Sequence, residues 1–177
     1  MTAYKQLRKP NVKIKTIGIG WCLWWVQEAF SASHLYPTAI AEWEKNTYNH
    51  TGTPPKGLWV PVFFRMRGVP AGHVAIWAPD GSIYSTSSPY SLVPVHHKNL
   101  ADLNRYYGGK LTYLGWSEDI GGVRVVQPIP VVKKSIEAIA KEVIQGKWGN
   151  GLIRIAKLKK AGYDPKTVQI IVNKLLK

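Results

Sequence analysis

The chain has 177 residues, 45% of them hydrophobic and 19% charged, a composition that places it among globular proteins rather than disordered or fibrous ones. Its 24 Lys and Arg outnumber its 10 Asp and Glu, a formal charge of +14, and a single cysteine excludes an intramolecular disulfide. No apolar run approaches the ~20 residues that would span a bilayer, and the basic balance suits an anionic partner such as nucleic acid, anionic lipid or an acid-bearing cell wall.

In chain order, Lys5, Arg8, Lys9, Lys13 and Lys15 precede an apolar stretch from Ile17 to Val26 that loosely imitates a secretory signal. A lipidated cysteine wants a small residue before it, whereas Trp21 precedes Cys22, and no small-x-small cleavage site follows. The expectation is therefore a chain without a signal peptide. "GWC" then opens a helix predicted over Cys22 to Ala32, with Cys22, Val26, Ala29 and Phe30 on one side. Trp59 to Arg65 reads as a strand, Gly72 to Ser87 as a hairpin, Asn99 to Tyr107 as a short helix and Leu111 to Gln127 as a second hairpin. One helix followed by antiparallel strands implies an α+β domain over residues 1–127.

"QPIPVVKK" reads as an extended linker over 128–134. Beyond it the pattern is purely helical over 135–177. One helix runs from Ile136 to Gln145 with Ser135 as N-cap, one from Leu152 to Ala161, and one starts at Asp164-Pro165, giving a small three-helix bundle.

A thiol at a helix N-terminus meets unpaired backbone N–H groups and the positive end of the helix dipole, which favour the thiolate and leave an amide for an oxyanion. Taken alone, a free cysteine is more often a packed small apolar residue. A nucleophilic cysteine needs a histidine base. Of the five histidines, His34 and His50 lie in polar or turn-like stretches. His96 and His97 are adjacent and so would point to opposite faces of a strand, a poor metal pair. His73 heads a strong strand, sharing a face with Ala75 and Trp77.

The turn "APDG" places Pro79 and Asp80 in a type I turn followed by Gly81. That loop pairs Ala78 with Ser82, Ala75 with Ser85 and His73 with Ser87, putting Ser85 or Ser87 in reach of the histidine. A two-residue turn at Asp80-Gly81 would bring Thr86 and Ser88 there instead. The proline favours the first register.

The order cysteine at a helix start, histidine at a strand head, then a polar strand resembles the CHAP family of papain-like cysteine peptidoglycan hydrolases. The residues that carry it are "GWCLWWVQEAF", "GHVAIWAPDG" and "YLGWSEDIGGVRVV". The resemblance implies Cys22 as nucleophile and His73 as general base, with Ser85, or else Ser87, as the third member. It also implies hydrolysis of a stem-peptide amide as amidase or endopeptidase. The chain departs from the family at Trp21, where a polar residue is common, and at the hydroxyl third position. No Asp-rich calcium loop precedes Cys22, so no metal and no cofactor is expected.

The stretch Glu142 to Leu176, with "GKWGNG", Arg154, "AGYD" and "VQ..VN", resembles the short cell-wall-binding repeats at the C-terminus of a pneumococcal phage lysozyme. It implies peptidoglycan as partner. Trp148 could stack on a sugar, Arg154 could meet a carboxylate, and the glycines beside Asn150 would let a ligand approach. Trp59, Trp77 or Trp116 is expected to line the groove of the catalytic unit.

The two resemblances together predict a phage-type endolysin, released through a holin and acting at the bacterial wall, with neither nucleic acid nor membrane as partner. Such repeats often occur in tandem, so a single copy raises self-association as a route to avidity. The competing expectation is a non-catalytic peptidoglycan-binding protein with a degenerate CHAP-like fold.

Overall fold

The computed structural model describes residues 2–15, 20–86, 93–130 and 133–177. It divides into two compact units, residues 1–129 and 130–177.

The first unit is α+β, built on a six-stranded antiparallel sheet. Its strands, in spatial order, are β2 (Asn49–His50), β7 (Leu111–Ser117), β3 (Val60–Met66), β4 (Val69–Trp77), β5 (Ile83–Ser85) and β6 (Val95–His97). The central pair β3 and β4 alternates cleanly. Phe63, Val74 and Ile76 join one core with Trp25, Val26 and Phe30 of α1 (Cys22–Ala29). Val62, Phe64, Ala75 and Trp77 join a second core with Ile83, Trp116 and Leu103, the last from α3 (Leu100–Tyr106). The sheet is thus covered on both faces, and His73 belongs to the second.

The hairpin at Pro79 to Gly81 adopts the register that the proline favours. Ile76 pairs with Tyr84 and Trp77 with Ile83, and the Ala78 N–H donates to the Ser82 carbonyl at 2.8 Å. Asp80 locks the turn by accepting from the Ser82 N–H and hydroxyl at 3.0 and 2.7 Å. Ser87, the residue that this register would place opposite His73, lies outside the described residues.

Two expectations need correction. Leu111 to Gln127 is not one hairpin. Strand β7 pairs with β3 and β2, after which β8 (Asp119–Ile120) and β9 (Val123–Arg124) form a small ribbon, and β10 (Val126–Pro128) pairs with β1 (Tyr4–Gln6). The physical reason is the Glu118 carboxylate. It is buried, bonded to His50 Nε2 at 2.7 Å and ion-paired with Arg124, so the chain bends around a charged cluster instead of reversing as a hairpin. Pro128 therefore ends a strand rather than opening a linker.

The sequence reading also overlooked α2 (Ala39–Lys45), capped by the Thr38 hydroxyl. This helix carries Glu42, whose fully buried carboxylate accepts from Gln27 of α1 at 3.0 Å and from the Gly121 N–H. Burial raises its pKa from 4.5 to about 7.

The second unit is three helices: α4 (Ile136–Ile144), α5 (Gly151–Lys160) and α6 (Pro165–Leu175). Ser135 caps the first, and Asp164 caps the third ahead of Pro165. Ile139, Ala140, Val143, Leu158, Val168 and Val172 form the core. Lys133 and Lys134 belong to this unit: Lys133 donates to the Gly162 carbonyl at 3.2 Å and Lys134 pairs with Glu142. Among the described residues no helix is long and apolar enough to cross a membrane.

Two outcomes follow from this packing. Gly72, at φ +68°, sits where an added Cβ would lie 2.6 Å from Ile40 Cγ1 and 2.7 Å from the Phe64 carbonyl oxygen. Gly72→Ala should destabilise the first unit by about 2–4 kcal/mol, seen as a lower urea midpoint. Glu42 binds its proton more tightly folded than unfolded. Its contribution to stability is therefore complete below pH 4.5 and is lost as pH rises through about 7. Wild type should lose up to about 3 kcal/mol between pH 4.5 and 8 that Glu42→Gln does not lose, measured by urea titration at each pH.

Candidate active site

Cys22 opens α1 without help from a side chain. Trp21 occupies the N-cap position, makes no side-chain capping bond, and the first turn carries no acidic residue. The helix-start N–H groups of Cys22 and Leu23 are thereby aimed at the thiol, and so is the Val74 N–H of β4. Trp21 itself is 48% exposed and meets Trp24 edge-on at 6.2 Å, turned away as a surface residue.

His73 reaches the same place by a different device. The β3–β4 ladder pairs Phe64 with His73 but Met66 with Val69, so one strand bulges between them. Gly72, in the left-handed region, takes the bend just ahead of the histidine. The thiol and the imidazole consequently line one cavity of about 580 Å³. Its remaining walls come from the start of α2 (Thr38, Ala39), the β3–β4 hairpin (Met66, Val69), Thr86, and Tyr106 and Tyr107 at the end of α3.

Desolvation drives both groups towards neutrality. Burial pushes the Cys22 thiol up, against the opposing pull of the Val74, Leu23 and Cys22 N–H groups. Burial, with a smaller contribution from His97, pulls the His73 imidazole from 6.5 down to about 3. Burial thus works against charge on both groups and favours a neutral thiol and imidazole over a thiolate–imidazolium pair. His73 Nε2 is buried and has no hydrogen-bond partner among the described residues.

The remaining residues singled out in the sequence fall in several places. Ser85 is buried on the His73 side of the sheet, but its hydroxyl meets His97 Nε2 at 2.9 Å and the Thr86 carbonyl at 3.3 Å. Trp77 and Trp116 are core residues of the second cluster, and Trp116 stacks on His50 at 4.3 Å. Trp59 packs at the edge of the first cluster against Tyr84. None of these three borders the cavity: Trp77 and Trp116 are buried in the second core, and Trp59 packs against the first. Thr86, which only the alternative turn register had placed beside His73, borders it, as do Thr38, Tyr106 and Tyr107, for which the sequence raised no expectation. The pair "YY" at the predicted end of a helix was the available signal for the last two.

In the second unit Trp148 donates to Glu142 Oε2 at 3.0 Å and borders a cleft of about 450 Å³ with Lys147, Lys157 and Lys160. Arg154 borders a different one, of about 230 Å³, between α5 and α6. Asn150 is the exposed N-cap of α5. Trp148 and Arg154 thus border different clefts of the unit.

Comparison with known proteins gives two similarities. Residues 137–176 match the family model of the CW_7 repeat. The chain is also 56% identical over 42 residues to a lysozyme from Streptococcus phage Cp-7. That stretch is 24% of this chain and only 12% of the relative's length. No solved structure matches the chain.

The neutral pair has a kinetic signature. The rate of Cys22 alkylation by iodoacetamide should rise continuously with pH and reach half its maximum above the ordinary thiol value of about 8.5. A plateau of high reactivity already present below pH 7 would show a resting thiolate–imidazolium pair and refute this electrostatic picture.

Proposed function

We propose that the protein is a phage-type peptidoglycan hydrolase. In this reading the first unit cleaves amide bonds through a cysteine nucleophile, and the second, CW_7 unit holds it on the bacterial cell wall. The observation that supports the catalytic half is that Cys22 and His73 line one cavity, and the motifs that carry them resemble those of the CHAP family. The wall-binding half is supported by the CW_7 match and by the similarity to a phage lysozyme.

His73, uncharged at working pH, accepts the Cys22 proton as the thiolate adds to a stem-peptide carbonyl. The tetrahedral oxyanion is stabilised by the Cys22 backbone N–H at the start of α1. The imidazolium then returns its proton to the departing amine, leaving a thioester. Water, deprotonated by His73, hydrolyses that thioester and restores the enzyme. Each half-reaction moves one proton to the histidine and one away, so an imidazole that is neutral at rest suffices. The described lining of the cavity carries no carboxylate, whereas glycosidic cleavage ordinarily needs a pair of them. The site's chemistry therefore points to an amide and not to the sugar backbone.

Exposed Leu152 and Ile153 at the start of α5 support self-association of the repeat as a source of avidity. A second reading, a wall-binding protein without activity, draws on the unpartnered His73 Nε2 and the raised thiol.

Mass spectrometry of purified peptidoglycan separates these. Wild type should release either a free muramic lactyl group, as an amidase, or a new peptide N-terminus, as an endopeptidase. Cys22→Ala should lower that release by at least about 10³-fold while still pelleting with the wall. Equal release by both proteins would exclude a cysteine mechanism, new reducing ends would indicate a glycosidase, and pelleting without any product would favour the binding protein.

A further inference from the structure

A catalytic histidine is ordinarily held by a carboxylate or amide that hydrogen-bonds its ring. Here the buried Nε2 of His73 meets no such group among the described residues, and the Ser85 hydroxyl is engaged elsewhere, by His97 and the Thr86 carbonyl. What touches the imidazole is aromatic. The Phe64 ring, directly opposite on β3, lies 6.1 Å away at 36°, and the Tyr107 ring lies 4.7 Å away at 49°.

Tyr107 is itself firmly placed. Its hydroxyl donates to the Thr86 carbonyl at 2.8 Å, tying the end of α3 to the chain just past β5. Its backbone N–H closes the last turn of α3 on the Leu103 and Arg105 carbonyls, and Leu103 is fully buried. Its ring meets Tyr106 edge-on at 5.3 Å. Both Tyr107 and Thr86 border the cavity that holds the thiol.

We propose that Tyr107 is the positioning residue of the Cys22–His73 site. Its ring, pinned through its hydroxyl to the Thr86 carbonyl, clamps the imidazole against Phe64 and takes the place of a hydrogen-bonding third member. This inference rests on the reading of the site as a cysteine hydrolase. A ring positions by packing and adds no negative charge, so it orients the base without stabilising an imidazolium in the resting enzyme. That agrees with the depressed basicity of His73. The phenol stays protonated throughout, since burial lifts its pKa to about 12, and the anchoring donor is therefore kept across the working pH range.

The test uses the full chain, with purified peptidoglycan as substrate and the His73 imidazole followed by nitrogen-15 NMR. Tyr107→Leu should lower kcat by about 50-fold with KM changed less than about threefold. It should also move the His73 titration upward from near 3 towards the ordinary 6.5. Tyr107→Phe, which keeps the ring, should recover activity to within about tenfold of wild type.

The proposal is overturned if Tyr107→Leu keeps wild-type kcat and an unmoved His73 titration. It is equally overturned if Ser87→Ala causes the loss and Tyr107→Leu does not. If Tyr107→Leu fails to fold, Tyr107→Phe decides alone: a loss of about 3- to 10-fold with a shifted His73 signal supports the clamp, and no change in either refutes it. Failure of the hydrolase reading looks different, because Cys22→Ala would then be as active as wild type, and the His73 titration would still report on the clamp.

Discussion

Phe63, Val74 and Ile76 must be covered on one side of the β3–β4 pair, and Val62, Phe64, Ala75 and Trp77 on the other. This two-sided burial is the constraint from which the first unit follows. At about 25 cal/mol per Å² of apolar surface removed from water, neither face of so apolar a hairpin can be left to solvent. Helix α1 covers one face through Trp25, Val26 and Phe30; α3, through Leu103, helps to cover the other. Cys22 arrives with the first helix and Tyr107 follows the second, and His73 stands in the middle of β4 just after the Gly72 bend. Cys22 and His73 come to line one cavity through the way the sheet is covered, and the Gly72 bend makes the last adjustment.

The same burial sets the chemistry. A papain-like pair gains reactivity when thiolate and imidazolium stabilise one another, but both charges must then be solvated or paired. In this cavity the apolar and aromatic walls supply neither, and the helix-start N–H groups only partly offset the desolvation of the thiol. The buried carboxylate at Glu42 obeys the same rule: two hydrogen bonds are outweighed by burial, and its pKa rises. Cys22, His73 and Glu42 thus share one rule, that burial governs their protonation, and Glu42 in addition holds α1 to α2.

Much of this was legible in the residues. Cys22 at a helix start, the facing of His73, the register fixed by Pro79 and the helix caps at Ser135 and Asp164 are local features, and local chemistry determines them. What the residues did not disclose depends on contacts distant in sequence. The Leu111–Gln127 stretch has the alternation of a hairpin. Its pairing is nevertheless decided by β3, by β1 at the other end of the chain and by the buried Glu118 between His50 and Arg124. Trp77 and Trp116 look like ligand-binding residues by type, yet both are buried in the core that covers the second face of the sheet. Helix α2 was hidden because a short amphipathic segment declares itself mainly by packing, here through Ile40, Trp43 and Glu42.

A buried thiol whose pKa is raised reacts slowly with whatever diffuses past, and that property gives the second unit a physical rationale under the proposed function. Tethering to the wall converts an encounter with the stem peptide into an effectively intramolecular event, at local concentrations that reach the millimolar range for short flexible links. A weakly activated nucleophile is then compensated by residence time, while its low intrinsic reactivity protects the only cysteine from adventitious oxidation and alkylation. The +14 charge works in the same direction on an anionic wall, since long-range attraction raises the encounter rate without requiring contacts at the site itself. Selectivity for the wall is in this view divided between the two units, with the repeat deciding where the enzyme rests and the aromatic cavity deciding which amide it can deprotonate for and attack.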